Sequence, residues 1–156
     1  MGKVKYIIGH WTAGNYKPND IDLNSYQILI DGDGREHLGK PQGKTASTAG
    51  MNSITFNIAC CGGLERTPIT QVQFEKFCYV TARELKRLKL PVSAFYTHAE
   101  IGEKCKDGSI VKLLPMNKWL KNNKGKIDLT VLPYLYNSSH NEYIRLKINW
   151  YYDKLE

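Results

Sequence analysis

Long apolar runs are missing from this chain. Nothing in its 156 residues approaches the ~18–20 consecutive apolar positions of a membrane span, so no transmembrane helix is expected. No Cys-x-x-Cys pair occurs among Cys60, Cys61, Cys78 and Cys105, which argues against a zinc knuckle or a thioredoxin-type motif. Cys60 and Cys61 are neighbours in an apparent strand and face opposite ways, so they do not pair. The cysteines read as small buried free thiols in a reducing compartment. There is no Arg-rich arm, internal repeat, linker or low-complexity segment. The start, M-G-K-V-K-Y-I-I-G, has an apolar run too short for a signal peptide. The expectation is a protein made in the cytoplasm that leaves it, if at all, by another route.

What is present suits a packed domain. The hydrophobic fraction is 42% and the aromatic fraction 11%, compatible with a core and not with disorder. The length fits one domain spanning 1–156. Twenty-two basic and 15 acidic residues leave a net charge of +7. That favours a polyanionic partner: nucleic acid, a membrane surface or an anionic cell wall. The basic residues are dispersed, with mild enrichment at 86–89 and 118–126. A nucleic-acid binder wants a clustered basic face with interleaved aromatics, so no nucleic-acid partner is expected. A monomer without stable membrane association is expected.

The chain is organised around Lys5 to Gly14, K-Y-I-I-G-H-W-T-A-G. Tyr6-Ile7-Ile8 reads as a short buried strand that ends in His10, with a glycine turn after it. A histidine at the exit of a core strand is rigid and still reaches a cleft, as a metal ligand requires. Asn15 to Asn24 reads as a loop. Ser25 to Asp31 and Arg35 to Gly39 read as a hairpin about the Asp31-Gly32-Asp33-Gly34 turn. Lys40 to Asn52 reads as an irregular surface loop, and Ser53 to Cys61 as a third strand stopped by Gly62-Gly63.

Thr70 to Leu90 is the clearest helix. Thr70 and Gln73 form a capping box. Val72, Phe74, Phe77, Val80, Thr81, Leu85 and Leu88 make the apolar face. Val92 to Thr97 reads as a fourth strand and again runs into a histidine, His98. Glu100 to Lys112 reads as a loop, Leu113 to Asn122 as a stretch with a short helix, and Gly125 to Asp128 as the lead into Leu129 to Leu135. Glu142 to Leu155 reads as a terminal helix with Tyr143, Leu146, Trp150 and Tyr151 as its stripe. The fold class is therefore α/β, a mixed central sheet flanked by helices.

If the two histidine-ending strands lie side by side and parallel, His10 and His98 meet at one sheet end. Zinc catalytic sites commonly use three protein ligands and leave a fourth position open. The third could come from Glu100, Cys105, Asp107 or Asp128, and spacing does not choose among them. His37 and His140 read as surface residues.

G-H-W-T-A-G resembles the H-x-T-A-G signature of zinc-dependent N-acetylmuramoyl-L-alanine amidases, the family of amidase-type phage endolysins related to peptidoglycan recognition proteins. Y-Q-I-L-I-D-G-D-G resembles that family's strand pair, N-S-I-T-F-N-I-A-C-C-G-G its next strand, and Y-T-H-A-E-I its second histidine strand. G-K-I-D-L-T-V-L-P-Y-L is similar to the late K-x-D element of phage endolysins. The likeness runs in order along nearly the whole chain. It implies zinc bound by His10, His98 and Asp128, with Tyr26 and Lys126 over the metal as catalytic residues. It implies bacterial peptidoglycan as substrate, cut between N-acetylmuramic acid and L-alanine, by a phage or prophage endolysin that reaches the wall after release. The alternative is a non-catalytic peptidoglycan-binding module on the same fold.

Several positions depart from the pattern. Gly9 stands where many members carry a second histidine, and Gln27 replaces the histidine usual after the tyrosine. Ala59 stands where some members carry a catalytic glutamate, which shifts proton work to Tyr26 or the zinc water. The stretch between His98 and Asp128 is long, so Cys105 or Asp107, with Lys104 as the cation, stays a rival set. Glu100 is a candidate partner for a histidine ring N–H.

Overall fold

The computed structural model describes residues 3–133 and 140–155. Its five strands are β1 (Tyr6–Trp11), β2 (Ile28–Ile30), β3 (Glu36–Leu38), β4 (Thr55–Cys60) and β5 (Phe95–Thr97). They form one sheet in the order β3-β2-β4-β1-β5. β1 runs parallel to β4 and to β5, and β2 parallel to β4, while β3 returns antiparallel on β2. The sheet is therefore mixed, as expected. β1 and β4 are buried along almost their whole length, the mark of parallel strands covered on both faces.

The helices are α1 (Asp20–Ser25), α2 (Gln71–Arg87), α3 (His98–Asp107) and α4 (His140–Lys154). Ile7 and Ile8 show how they are layered. Consecutive strand residues face opposite sides. Ile7 joins the larger core with Phe74, Phe77 and Leu85 of α2 and Ile144 and Ile148 of α4. Ile8 joins a second core with Ile101 of α3, Met51, Ile110 and Leu120. The same alternation puts His10 on the α3 side. Gly9 faces the α2 side, where an added Cβ would lie 2.8 Å from Phe95 Cζ and 2.9 Å from Phe77 Cζ. No side chain fits there, let alone a second histidine.

Several sequence expectations need correction. α1 occupies part of the expected 15–24 loop, started by a capping box between Asn19 and Asp22. The 100–112 loop is instead α3 and a 3-10 turn, Ser109–Lys112. Thr97 and Glu100 cap α3 reciprocally. Val92–Ala94 is also 3-10, so the fourth strand begins only at Phe95. The short helix expected within 113–122 is a 3-10 turn at Leu120–Asn123. On α2 the Thr70–Gln73 box is present, but Val72 is exposed and Glu84 is buried between Arg83 and Arg87. On α4 the buried stripe is Ile144 and Ile148, and Leu146 and Trp150 face outward. Thr48 and Met51 in the 40–52 loop are fully buried. His37 is half-buried on Asp31 at 2.8 Å, and His140 is half-buried. Residues 134 and 135 of the expected 129–135 segment lie outside the described residues.

Candidate active site

The parallel strands all end at one edge of the sheet, the usual ligand edge of an α/β fold. β1 and β5 are direct neighbours, with Gly9 opposite Thr97. His10 is the next residue of β1, and His98 is the first residue of α3. Their ring centroids are 4.8 Å apart.

Asp128 meets them from the segment after the last 3-10 turn. One carboxylate oxygen is 3.7 Å from His10 Nδ1, and the other is 3.8 Å from His98 Nδ1. One ligand atom from each of the three residues lies within 4.8 Å of the others, and all three residues are buried. The carboxylate accepts the Trp11 backbone N–H at 3.1 Å, which ties it to the end of β1. Leu129 follows with φ +61° and no exposed surface. A left-handed leucine is unfavourable by itself. Its burial in the larger core holds the turn and aims Asp128 inward.

The ring orientations are fixed from behind. Asn123 Oδ1 sits 2.8 Å from His98 Nε2, while its Nδ2 donates to the carbonyls of Ala49 and Leu120. An amide oxygen only accepts, so Nε2 of His98 carries the proton and Nδ1 keeps its lone pair toward the cluster. Asn57 Oδ1 does the same for His10 Nε2 at 2.8 Å. Behind Asn57 stands Gln27, whose Oε1 accepts the Asn57 backbone N–H at 2.7 Å and whose Nε2 donates to Thr45. Gln27 thus holds Asn57, which holds His10.

Charge follows the same plan. Burial first, then the neighbouring His10, pushes His98 down to about 4, so its ring is neutral at neutral pH, as a ligand must be. Burial would raise the Asp128 carboxyl, yet His10, His98 and the Trp11 N–H hold it below its ordinary value.

His98 and Asp128 open on a cleft of about 380 Å³ lined also by Tyr26, Trp11, Ser47, Lys126 and Ile127, with His10 buried beside them. The Tyr26 ring lies 5.0 Å from that of His10. Burial, and then Asp128, raises its phenol well above the ordinary value. Lys126 lines the cleft two residues before Asp128.

Of the candidate residues, the structure thus brings together His10, His98, Asp128, Tyr26 and Lys126. The rivals lie elsewhere. Cys105 Sγ is 3.9 Å from Asn123 Nδ2, behind the histidine. Asp107 is exposed and accepts the Ser109 N–H. Lys104 sits over the Tyr96 ring. Among the described residues Glu100 makes no hydrogen bond to His10 or His98, and it caps α3 and pairs with Arg145 at 2.6 Å. The partners that matter, Asn57, Asn123 and Gln27, were not anticipated in these roles. The one signal for Asn57 is a polar residue in an otherwise apolar strand, which is buried only when its hydrogen bonds are met.

Zinc bonds of ~2.0–2.1 Å to nitrogen and oxygen set tetrahedral donors about 3.3 Å apart. Each histidine lies 3.7 or 3.8 Å from its nearer carboxylate oxygen, and the three donor atoms lie within 4.8 Å of one another, a somewhat open version of that spacing. Two imidazoles, each with Nδ1 turned to the cluster, and one carboxylate, open on one side to a cleft, are a donor set that fits a catalytic metal ion.

Fold and site define a class: an α/β protein with a two-histidine, one-carboxylate cluster at the carboxyl edge of its sheet. The chain belongs to the N-acetylmuramoyl-L-alanine amidase family, whose profile matches residues 1–110. Asp128 and Lys126 lie beyond that match. Among solved structures the chain is similar to the Staphylococcus aureus hydrolase AmiA, with a TM-score of 0.62, 16% identity, and coverage of 97% of this chain and 74% of that one. It is similar to the N-acetylmuramoyl-L-alanine amidase LysC from Clostridium intestinale, with a TM-score of 0.61, 16% identity and 95% and 87% coverage. The Ph2119 endolysin of a Thermus scotoductus bacteriophage matches with a TM-score of 0.51, 18% identity and 64% and 74% coverage. At these identities the likeness is one of fold. No curated protein sequence matches the chain. Among the described residues no helix is long and apolar enough to cross a membrane.

Proposed function

We propose that this protein is a zinc-dependent amidase that hydrolyses the bond between the lactyl group of N-acetylmuramic acid and the L-alanine of the stem peptide. His10, His98 and Asp128 are its metal ligands, and Tyr26 and Lys126 its catalytic residues. The observation that carries the reading is the convergence of two Nδ1 lone pairs and one carboxylate beneath an open cleft, with both Nε2 protons already committed to asparagines. Zinc bound there supplies Lewis acidity and lowers the pKa of a water to about 7.

The chain's own groups do the rest. Trp11 N–H and Leu129 hold the carboxylate in place. Tyr26 keeps its proton at neutral pH, since burial raises its phenol. It therefore orients or donates a proton at its hydroxyl. Lys126 offers an ammonium beside the cluster, where negative charge develops on the scissile carbonyl oxygen. Ala59 lies opposite His10 in the sheet register, so that strand position adds no carboxylate to the proton transfers.

The biological setting that suits this chemistry is a monomeric phage or prophage endolysin acting on the wall after release from the cell. The test is direct. Purified protein is assayed for bound zinc, and for release of intact stem peptides from sacculi with and without chelator. Asp128→Ala is expected to lose both metal and activity, and Cys105→Ala to keep both. The opposite result would transfer the third ligand to Cys105 and overturn the assignment.

A further inference from the structure

A second groove opens beside the candidate cleft and shares Ala46 with it. Its volume is about 420 Å³, and its walls are Ala46, Ala49, Gly50, Asn52, Ser53 and Trp119. Trp119 is 55% exposed although its neighbour Leu120 is buried in the second core. The indole therefore contributes little to packing; the Lys118 ammonium lies 4.8 Å from its ring centroid, and its backbone is anchored. Its backbone N–H donates to Asn117 Oδ1, and Asn117 Nδ2 donates to the Gly50 carbonyl. Gly50 has φ +78°, and a Cβ there would lie 2.5 Å from Asn117 Oδ1. The groove is bolted to the site as well. Ala49 exchanges hydrogen bonds with Asn123, the residue that fixes His98.

The lining has a definite chemistry. A flat indole stands opposite small residues and two polar groups. Asn52 uses Oδ1 on the Thr48 N–H, and among the described residues its Nδ2 and the Ser53 hydroxyl have no hydrogen-bond partner. Next to the shared Ala46, Ser47 lines the cleft, and among the described residues its buried Oγ has no partner. A pyranose ring presents an apolar face of C–H bonds with hydroxyls and amides at its rim. It needs an exposed aromatic plane with a few amide and hydroxyl groups around it. The groove on the other side of the cleft, joined through Ala13, has no aromatic in its lining and carries Glu65 and Arg66.

We propose that the Trp119 groove is a glycan subsite. It stacks an N-acetylhexosamine of the same strand whose N-acetylmuramic acid sits over the metal cluster, and so sets the direction in which that strand crosses the protein. The proposal rests on the amidase reading above. Trp119 acts as a positioning residue and takes no part in the bond cleavage.

Two measurements test it. Stem-peptide-free glycan strands are titrated calorimetrically into the wild-type chain and into Trp119→Ala, Trp119→Tyr and Ser53→Arg. Trp119→Ala, and Ser53→Arg which fills the groove from an exposed position, are expected to weaken binding by about tenfold or more, while Trp119→Tyr stays near wild type. Thermal unfolding checks that each variant is folded. Separately, hydrolysis of a muramoyl peptide carrying one sugar is compared with the same peptide on a longer glycan. The wild type is expected to show a lower KM for the longer substrate. Trp119→Ala should lose that advantage, with kcat and the one-sugar KM unchanged. Equal glycan binding by wild type and Trp119→Ala, or none by wild type, overturns the subsite. Binding that depends on Trp119 in a protein that hydrolyses neither substrate overturns the amidase reading and leaves the subsite standing.

Discussion

At His98 the nitrogen that faces Asn123 decides what the other nitrogen does. The Asn123 oxygen keeps a proton on Nε2 and so keeps Nδ1 free for a metal. Residues that orient ligating histidines in this way typically cost ~10–100-fold in metal affinity when removed. Asn123→Ala should therefore weaken zinc binding by about that factor, read by competition with a chromophoric chelator. Asp128 itself would remain in place, held by Trp11 N–H. The sequence made His10 and His98 legible because each ends an apolar strand. Asp128 became legible through its lysine two residues earlier, a motif and not a spacing rule. Asn57, Asn123 and Gln27 were not legible as supports. An amide partner has no fixed distance in sequence from its histidine, and here the separations are 47 and 25 residues.

The elements tell a similar story. That β1 and β5 each feed a histidine was readable, but their parallel pairing was only a condition in the sequence and is supplied by the structure. α3 was not readable. Its sequence has a glycine in the middle, the poorest helix former after proline, although its capping box and the lysines of its last turn favour a helix. Gly102 is there for tertiary reasons: a Cβ would lie 2.4 Å from the Asn123 carbonyl oxygen. The β2–β3 hairpin was readable from its glycine turn, but its fastening was not. Asp31 is fully buried. It accepts the N–H groups of Asp33 and Arg35 on one oxygen, and Lys17 and His37 on the other. Burial would raise this carboxyl, but those bonds, His37 foremost, hold it well below the carboxylate range. The folded state therefore binds the proton less readily than the unfolded chain does. The contribution is fully present above about pH 4 and is lost as the pH falls below that. Asp31→Asn should cost roughly 2–3 kcal/mol at pH 7. Urea unfolding at pH 7 and pH 3 should show the gap between variant and wild type narrowing at the lower pH.

At the scale of the whole molecule, the net charge of +7 has no single strong focus in the sequence. Many of the charged side chains are used locally, as in the pairing of Arg83 with Glu36, Arg145 with Glu100 and Lys147 with Glu75. What remains is a diffuse positive field, which attracts a polyanion over long range without selecting its sequence. Such attraction is screened over ~10 Å at 0.1 M salt and ~3 Å at 1 M. The His10–His98–Asp128 cluster is buried, so salt reaches it much less. Two activities of one protein should then separate. Adsorption to purified walls rich in anionic polymer should fall steeply between 0.05 and ~0.5 M salt, measured by co-sedimentation. Turnover of a small soluble muramoyl peptide should change little over the same range. If both fall together, charge is acting at the site itself, with Lys126 the first residue to substitute. If neither falls, the positive surface serves solubility, and wall contact rests on the cleft and the Trp119 groove.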